Sequence, residues 1–185
     1  MKKLAVCLVL ALLALSCKSK KKKPESTYFS VLNYLQAQVH ALDTANYSFT
    51  RIQTVNGLSD TVPVPKSAVR GYAADFLALP DIASPDLKDS YDEANTYEES
   101  LNNVLLTYSA NTPDVPVRSE TVMLEPDEAG NTKPATILVK RIDQSDDSTV
   151  VKDLTWHVNK RFQVVTKTSR KGQPEIIRTL TLKWE

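Results

Sequence analysis

Three observations predict an α+β fold. Apolar residues recur at helical spacing in two stretches before residue 80, and they alternate with polar residues over most of residues 101–184. The length of 185 residues, with 42% hydrophobic and 24% charged, suits one globular domain. The expected architecture is two amphipathic helices packed on a curved antiparallel β-meander of about six to eight strands.

The first helix is expected from Ser26 to Asp43. There Tyr28, Val31, Leu32, Leu35, Val39 and Leu42 form one stripe, and Ser26 or Thr27 can cap the first turn. Tyr47 to Val55 reads as a strand carrying Phe49 and Ile52. Asn56-Gly57 is a hairpin turn, and a second strand around Asp60 to Val64 is an edge because Pro63 and Pro65 cannot donate to a ladder. A second helix from about Ser67 to Leu79 presents Val69, Ala73, Phe76 and Leu79 and stops at Pro80. Residues 80–100 hold seven carboxylates and few large apolar groups, so they read as a long acidic connection.

After it the period changes to two. The runs are Leu101 to Ser109, Val115 to Glu125, Ala135 to Asp143, Thr149 to Lys167 and Glu175 to Trp184. The fourth is too long for one strand and divides at Asn159-Lys160, which makes six strands. Val150, Leu154, Trp156 and Val158 share one phase, with Asp153, Thr155 and His157 on the other. In the last run Ile176, Leu180, Leu182 and Trp184 oppose Thr179, Thr181 and Lys183. A sheet of this size twists, and bending around the helices keeps its apolar face out of water.

The N-terminus reads as an address. Lys2 and Lys3 precede twelve apolar residues, Leu4 to Leu15, and Ser16 is a small residue at a cleavage edge. Twelve residues rise about 18 Å in a helix, short of the roughly 30 Å hydrocarbon core, so residues 1–16 are expected to be a signal peptide and not a permanent span. Ala14-Leu15-Ser16-Cys17 resembles the lipobox of bacterial lipoproteins, with leucine one position nearer the cysteine than usual. The resemblance implies that Cys17 becomes the first mature residue and carries the acyl chains, and that Cys7 leaves with the peptide. The processed chain then has neither a free thiol nor a disulfide. Residues 17–25 are the lipidated cysteine and a lysine-rich tether. Its Lys18, Lys20, Lys21, Lys22 and Lys23 can each add on the order of 1 kcal/mol of attraction to anionic headgroups. Residues 26–185 form the globular domain.

By the same resemblance, lipoproteins of Gram-negative bacteria lacking aspartate after the cysteine go to the outer membrane, and Lys18 fits that. The acidic export signal of surface lipoproteins of Bacteroidetes is missing, which favours the periplasmic side. The formal net charge of +1 hides an asymmetry. Seven lysines precede the first acid, and without them 16 basic residues face 22 acidic ones, so the body carries −6. That balance argues against nucleic acid as a partner.

Few chemistries leave a trace. The four glycines are isolated, so no phosphate-cradling loop is expected. His40 and His157 are too few for a structural zinc site, Asp86, Asp89 and Asp92 lack the pattern of a calcium loop, and neither metal nor cofactor is expected. No nucleophile elbow or catalytic residue can be named. Trp156, His157 and Phe162 are the candidate ligand-binding residues, because aromatics on a sheet can floor a cavity.

The expected function is that of a membrane-anchored envelope lipoprotein, a non-enzymatic binding or structural module for an envelope protein, a glycan or a small ligand. One alternative is a carrier of lipid or lipoprotein. A helix, the strand Tyr47-Ser48-Phe49-Thr50-Arg51, a hairpin and a long antiparallel sheet resemble, in order, the half-barrel folds of lipoprotein-sorting proteins. Another is a small envelope hydrolase, since paired carboxylates leave little signature.

Overall fold

The computed structural model describes residues 28–185. Cys17, the expected lysine tether and the expected signal peptide lie outside the described residues. Helix α1, Val31–Thr44, is capped by Ser30, whose hydroxyl accepts the Asn33 amide at 3.3 Å and donates to Asp81 at 3.0 Å. The cap is therefore Ser30, further along the chain than the expected Ser26 or Thr27, and Asp81 from elsewhere in the chain holds its hydroxyl. Val31, Leu35, Val39 and Leu42 are buried, in keeping with the stripe in the sequence.

Strands β1 (Phe49–Val55) and β2 (Leu58–Val64) form the expected hairpin, with Asn56 and Gly57 both at positive φ. The next segment departs from expectation. In place of one helix there is a 3-10 turn, Lys66–Ala68, then two four-residue helices, α2 (Val69–Tyr72) and α3 (Ala74–Leu77). Gly71 weakens helix propagation, and Ala73, at φ −84° and ψ 4°, breaks the two apart. The apolar stripe survives the break, since Val69, Ala73, Phe76 and Leu79 are all buried.

The acidic connection is the second departure. It contains a 3-10 turn, Lys88–Ser90, and a strand, β3, Tyr91–Glu98. Seven of the eight β3 residues are exposed, so no apolar alternation marks it. It is held by pairing with β4, Asn103–Ala110. The remaining strands are β5 (Val117–Pro126), β6 (Thr132–Gln144), β7 (Ser148–His157), β8 (Arg161–Arg170) and β9 (Ile176–Trp184). The β7 to β8 reversal falls at Val158-Asn159-Lys160, with Asn159 at φ +59°.

All nine strands belong to one antiparallel sheet in the order β2-β1-β9-β8-β7-β6-β5-β4-β3. The molecule is therefore richer in strand and poorer in helix than two helices on six to eight strands. The pairing of β1 with β9, Phe49 opposite Trp184 through Val55 opposite Arg178, joins both ends of the domain one strand in from the β2 edge. No local pattern encodes it.

One hydrophobic cluster joins α1, α2 and α3 to residues from Phe49 on β1 to Tyr91 on β3. Nine strands laid flat would span about 38 Å, whereas a 14-residue helix is only about 21 Å long. The helix alone is too short to cover such a sheet, and residues of α2, α3 and the following segment, Val69, Ala73, Phe76, Leu79 and Ile82, complete the core. The bulge between Val117 and Ser119 allows both Val117 and Glu120 to be buried on one strand.

Candidate functional site

The helix-facing side of the sheet is occupied by the chain's own side chains. Trp156, Phe162 and Phe76 are fully buried, with the Phe76 ring 5.2 Å from Trp156 and 5.3 Å from Phe162, centroid to centroid. Trp156 and Phe162 stack at 5.1 Å, and Trp184 joins them. Two of the three candidate ligand-binding aromatics are thus core residues. Phe76, contributed by α3, covers the surface they could have offered.

His157 is on the other face. In antiparallel pairs, residues directly opposite share a side, and the register gives one outward row: Thr50 of β1, Lys183 of β9, Arg161 of β8, His157 of β7 and Thr136 of β6. The His157 Nδ1 lies 3.2 Å from the Thr136 hydroxyl. Its pKa is lowered by burial first, then by Arg161 and Lys160. A histidine that accepts a proton during catalysis becomes an imidazolium, and burial and the neighbouring cations both disfavour that charge here. His40 is exposed on α1.

Beside this row is a cavity of about 400 Å³, lined by Ser48, Thr50, Ile52, Asn159, Lys160, Lys183, Trp184 and Glu185. Its walls are built by backbone pairing. Ser48 and Glu185 exchange two main-chain hydrogen bonds of 3.0 and 3.3 Å. The Trp184 amide donates to the Lys160 carbonyl at 3.2 Å, which seats the β7 to β8 turn against the end of β9. Lys160, Arg161 and Lys183 have no ion pair among the described residues, and Lys183 stands directly opposite Arg161. Like charges in that position repel. The volume falls within the range of small-molecule sites.

A second set of groups gathers at the other flank. Glu120 of β5 is opposite Tyr108 of β4 and Val139 of β6, 1% exposed, and neither carboxylate oxygen has a hydrogen-bond partner among the described residues. Burial, aided by Asp81, pushes its pKa up to about 8, so it is mostly protonated at neutral pH. Around it, Tyr28 donates to the Tyr91 carbonyl at 2.8 Å, Tyr91 donates to the Val117 carbonyl at 2.9 Å, and Tyr108 accepts the Phe29 amide at 2.9 Å. Burial raises the Tyr91 and Tyr108 hydroxyls to about 12. Glu120 shares the inward parity of Val122, a charge on an apolar phase that sequence inspection can detect. Sequence reasoning missed it, and it also missed Lys160 and Arg161, whose importance depends on the β8 to β9 register. Among the described residues no group of three or more His, Cys, Asp or Glu could hold a metal ion, and no helix is long and apolar enough to cross a membrane.

No known protein family matches the chain. A search of curated proteins likewise finds no match.

Proposed function

We propose that this chain is an envelope lipoprotein, anchored through an acylated Cys17 to the outer membrane on its periplasmic side. Its body is a non-enzymatic binding module. The structural observation behind the binding part is the division of labour between the two faces of the sheet. The helix-facing side is packed with Phe76, Trp156, Phe162 and Trp184, while the outward side carries the cavity beside β1, β9 and the β7 to β8 turn. A ligand that docks there need not displace the core.

The carrier alternative needs room for an acyl chain between helices and sheet, and the aromatic stack occupies the centre of that space. For hydrolysis by His157 the surrounding cations are unfavourable, and Glu120 is shut away from solvent. The anchored reading is tested by growing cells that express the full chain with a radiolabelled fatty acid. Label in the wild type that disappears in Cys17→Ala, together with release of that variant from the membrane fraction, is the expected result. Equal behaviour of the two chains would reject the anchor.

A further inference from the structure

We propose that the outward cavity is a binding site for a small phosphate-bearing ligand, held by Lys160, Lys183 and the adjoining Arg161. This deepens the binding-module reading and rests on it. The argument starts from cost. Lys183 and Arg161 are cross-strand neighbours, a placement that repels, and neither has a carboxylate partner among the described residues. The other cation pair standing directly opposite across strands, Arg141 and Lys152, is neutralised on both sides, by Asp143 and Asp75. The body is also acidic overall, so unneutralised cations beside a cavity are not a consequence of composition.

Charge and shape narrow the ligand. Three cations outnumber the acidic charge of Glu185, so the cavity presents net positive charge, and the roughly −1.5 to −2 of a phosphate monoester is attracted to it more strongly than a single carboxylate. Lysine ammoniums serve as point charges and the guanidinium as a fork for phosphate oxygens. The Thr50 hydroxyl can donate to a further oxygen, and Ile52 offers an apolar wall for what the phosphate is attached to. The same headgroup chemistry could be presented by a soluble phosphorylated compound or by a phospholipid, and the two are separable.

The test uses the two histidines of the chain as reporters. His157 is in the row with Arg161 and Lys183, whereas His40 is exposed on α1 and serves as the internal control. The full-length chain, isotopically labelled at histidine and embedded in phosphatidylcholine nanodiscs, is titrated with glycerol phosphate. In parallel it is embedded in nanodiscs containing phosphatidic acid. A saturable upward shift of the His157 pKa in the first arm, with His40 unmoved, identifies a free phosphorylated molecule as the ligand source. The same shift only in the second arm identifies a lipid headgroup. The Lys160→Ala, Lys183→Ala double variant should weaken either response at least tenfold, and added salt should weaken it further.

If neither arm moves His157, if His40 moves equally, or if the double variant responds like the wild type, the site is rejected. That failure is distinct from failure of the anchor, which fatty-acid incorporation at Cys17 reports independently. Both lysines are exposed. An intact melting transition of the double variant will show that a lost response is not lost folding.

Discussion

The two flanks of the sheet each hold ionisable groups without a charge partner, and they resolve the problem in opposite ways. Glu120, enclosed between β4 and β6, is 1% exposed to bulk solvent, and burial shifts its pKa upward. Lys160, Arg161 and Lys183, at the other flank, are exposed, and solvent screens the repulsion between Arg161 and Lys183. The difference is one of access to water. At the enclosed flank it creates a dependence of stability on pH, and at the open flank a standing positive field suited to recognition.

The largest effect should come from the packing that separates the two flanks. Phe76→Ala removes the ring that covers both Trp156 and Phe162, and truncation of a buried phenylalanine costs about 3–5 kcal/mol. Chemical denaturation should show that loss. A cost below about 1 kcal/mol would mean that the helix-facing side is loosely filled, and the carrier alternative would regain its footing.

Next in size is the enclosed flank. Because Glu120 has a folded-state pKa raised from the ordinary 4.5 to about 8, the native state holds a proton that the unfolded chain releases. The associated stability is complete below about pH 4.5 and is lost progressively as pH rises through about 8. The total is on the order of a few kcal/mol. Urea unfolding at pH 5, 7 and 9 should trace the decline, and Glu120→Gln should flatten it. A wild type equally stable at pH 5 and 9 would show that the carboxyl finds a partner or water in solution.

The open flank should respond with the opposite sign. Lys183→Ala removes a like-charge neighbour of Arg161 and should leave stability unchanged or raise it by a few tenths of a kcal/mol. Thermal melting at low and high salt provides the check, because any gain should shrink as salt screens the repulsion. A loss exceeding 1 kcal/mol would make Lys183 a structural residue and erase the contrast.

How much of this was legible in the sequence depended on whether the information was local. The phase of Leu154 and Trp156 in β7 and of Leu182 and Trp184 in β9 follows from period-two alternation, and all four are buried. The β7 to β8 reversal at Asn159 follows from run length. The strand Tyr91–Glu98 was hidden because its single buried residue, Tyr91, starts a run of exposed polar ones, and only the ladder to β4 makes it a strand. The break at Ala73 was hidden because an apolar stripe does not distinguish one helix from two short turns. Of the candidate site, the sequence marked His157 and the outward phase of Lys183. It could not place Lys183 beside Arg161, since that neighbourhood depends on a register between distant strands.

The smallest effect is the most direct measure of the open flank's field. Burial is the first cause of the low His157 pKa, with Arg161 and Lys160 adding to it. Lys160→Ala should therefore move the His157 titration upward while leaving it below the ordinary 6.5, because the larger cause is untouched. Histidine-resolved NMR titration reads the shift, with His40 as the group that should not follow. An unchanged His157 would mean that solvent already screens Lys160 from the row. Arg161 and Lys183 would then have to supply the attraction for a phosphate without it.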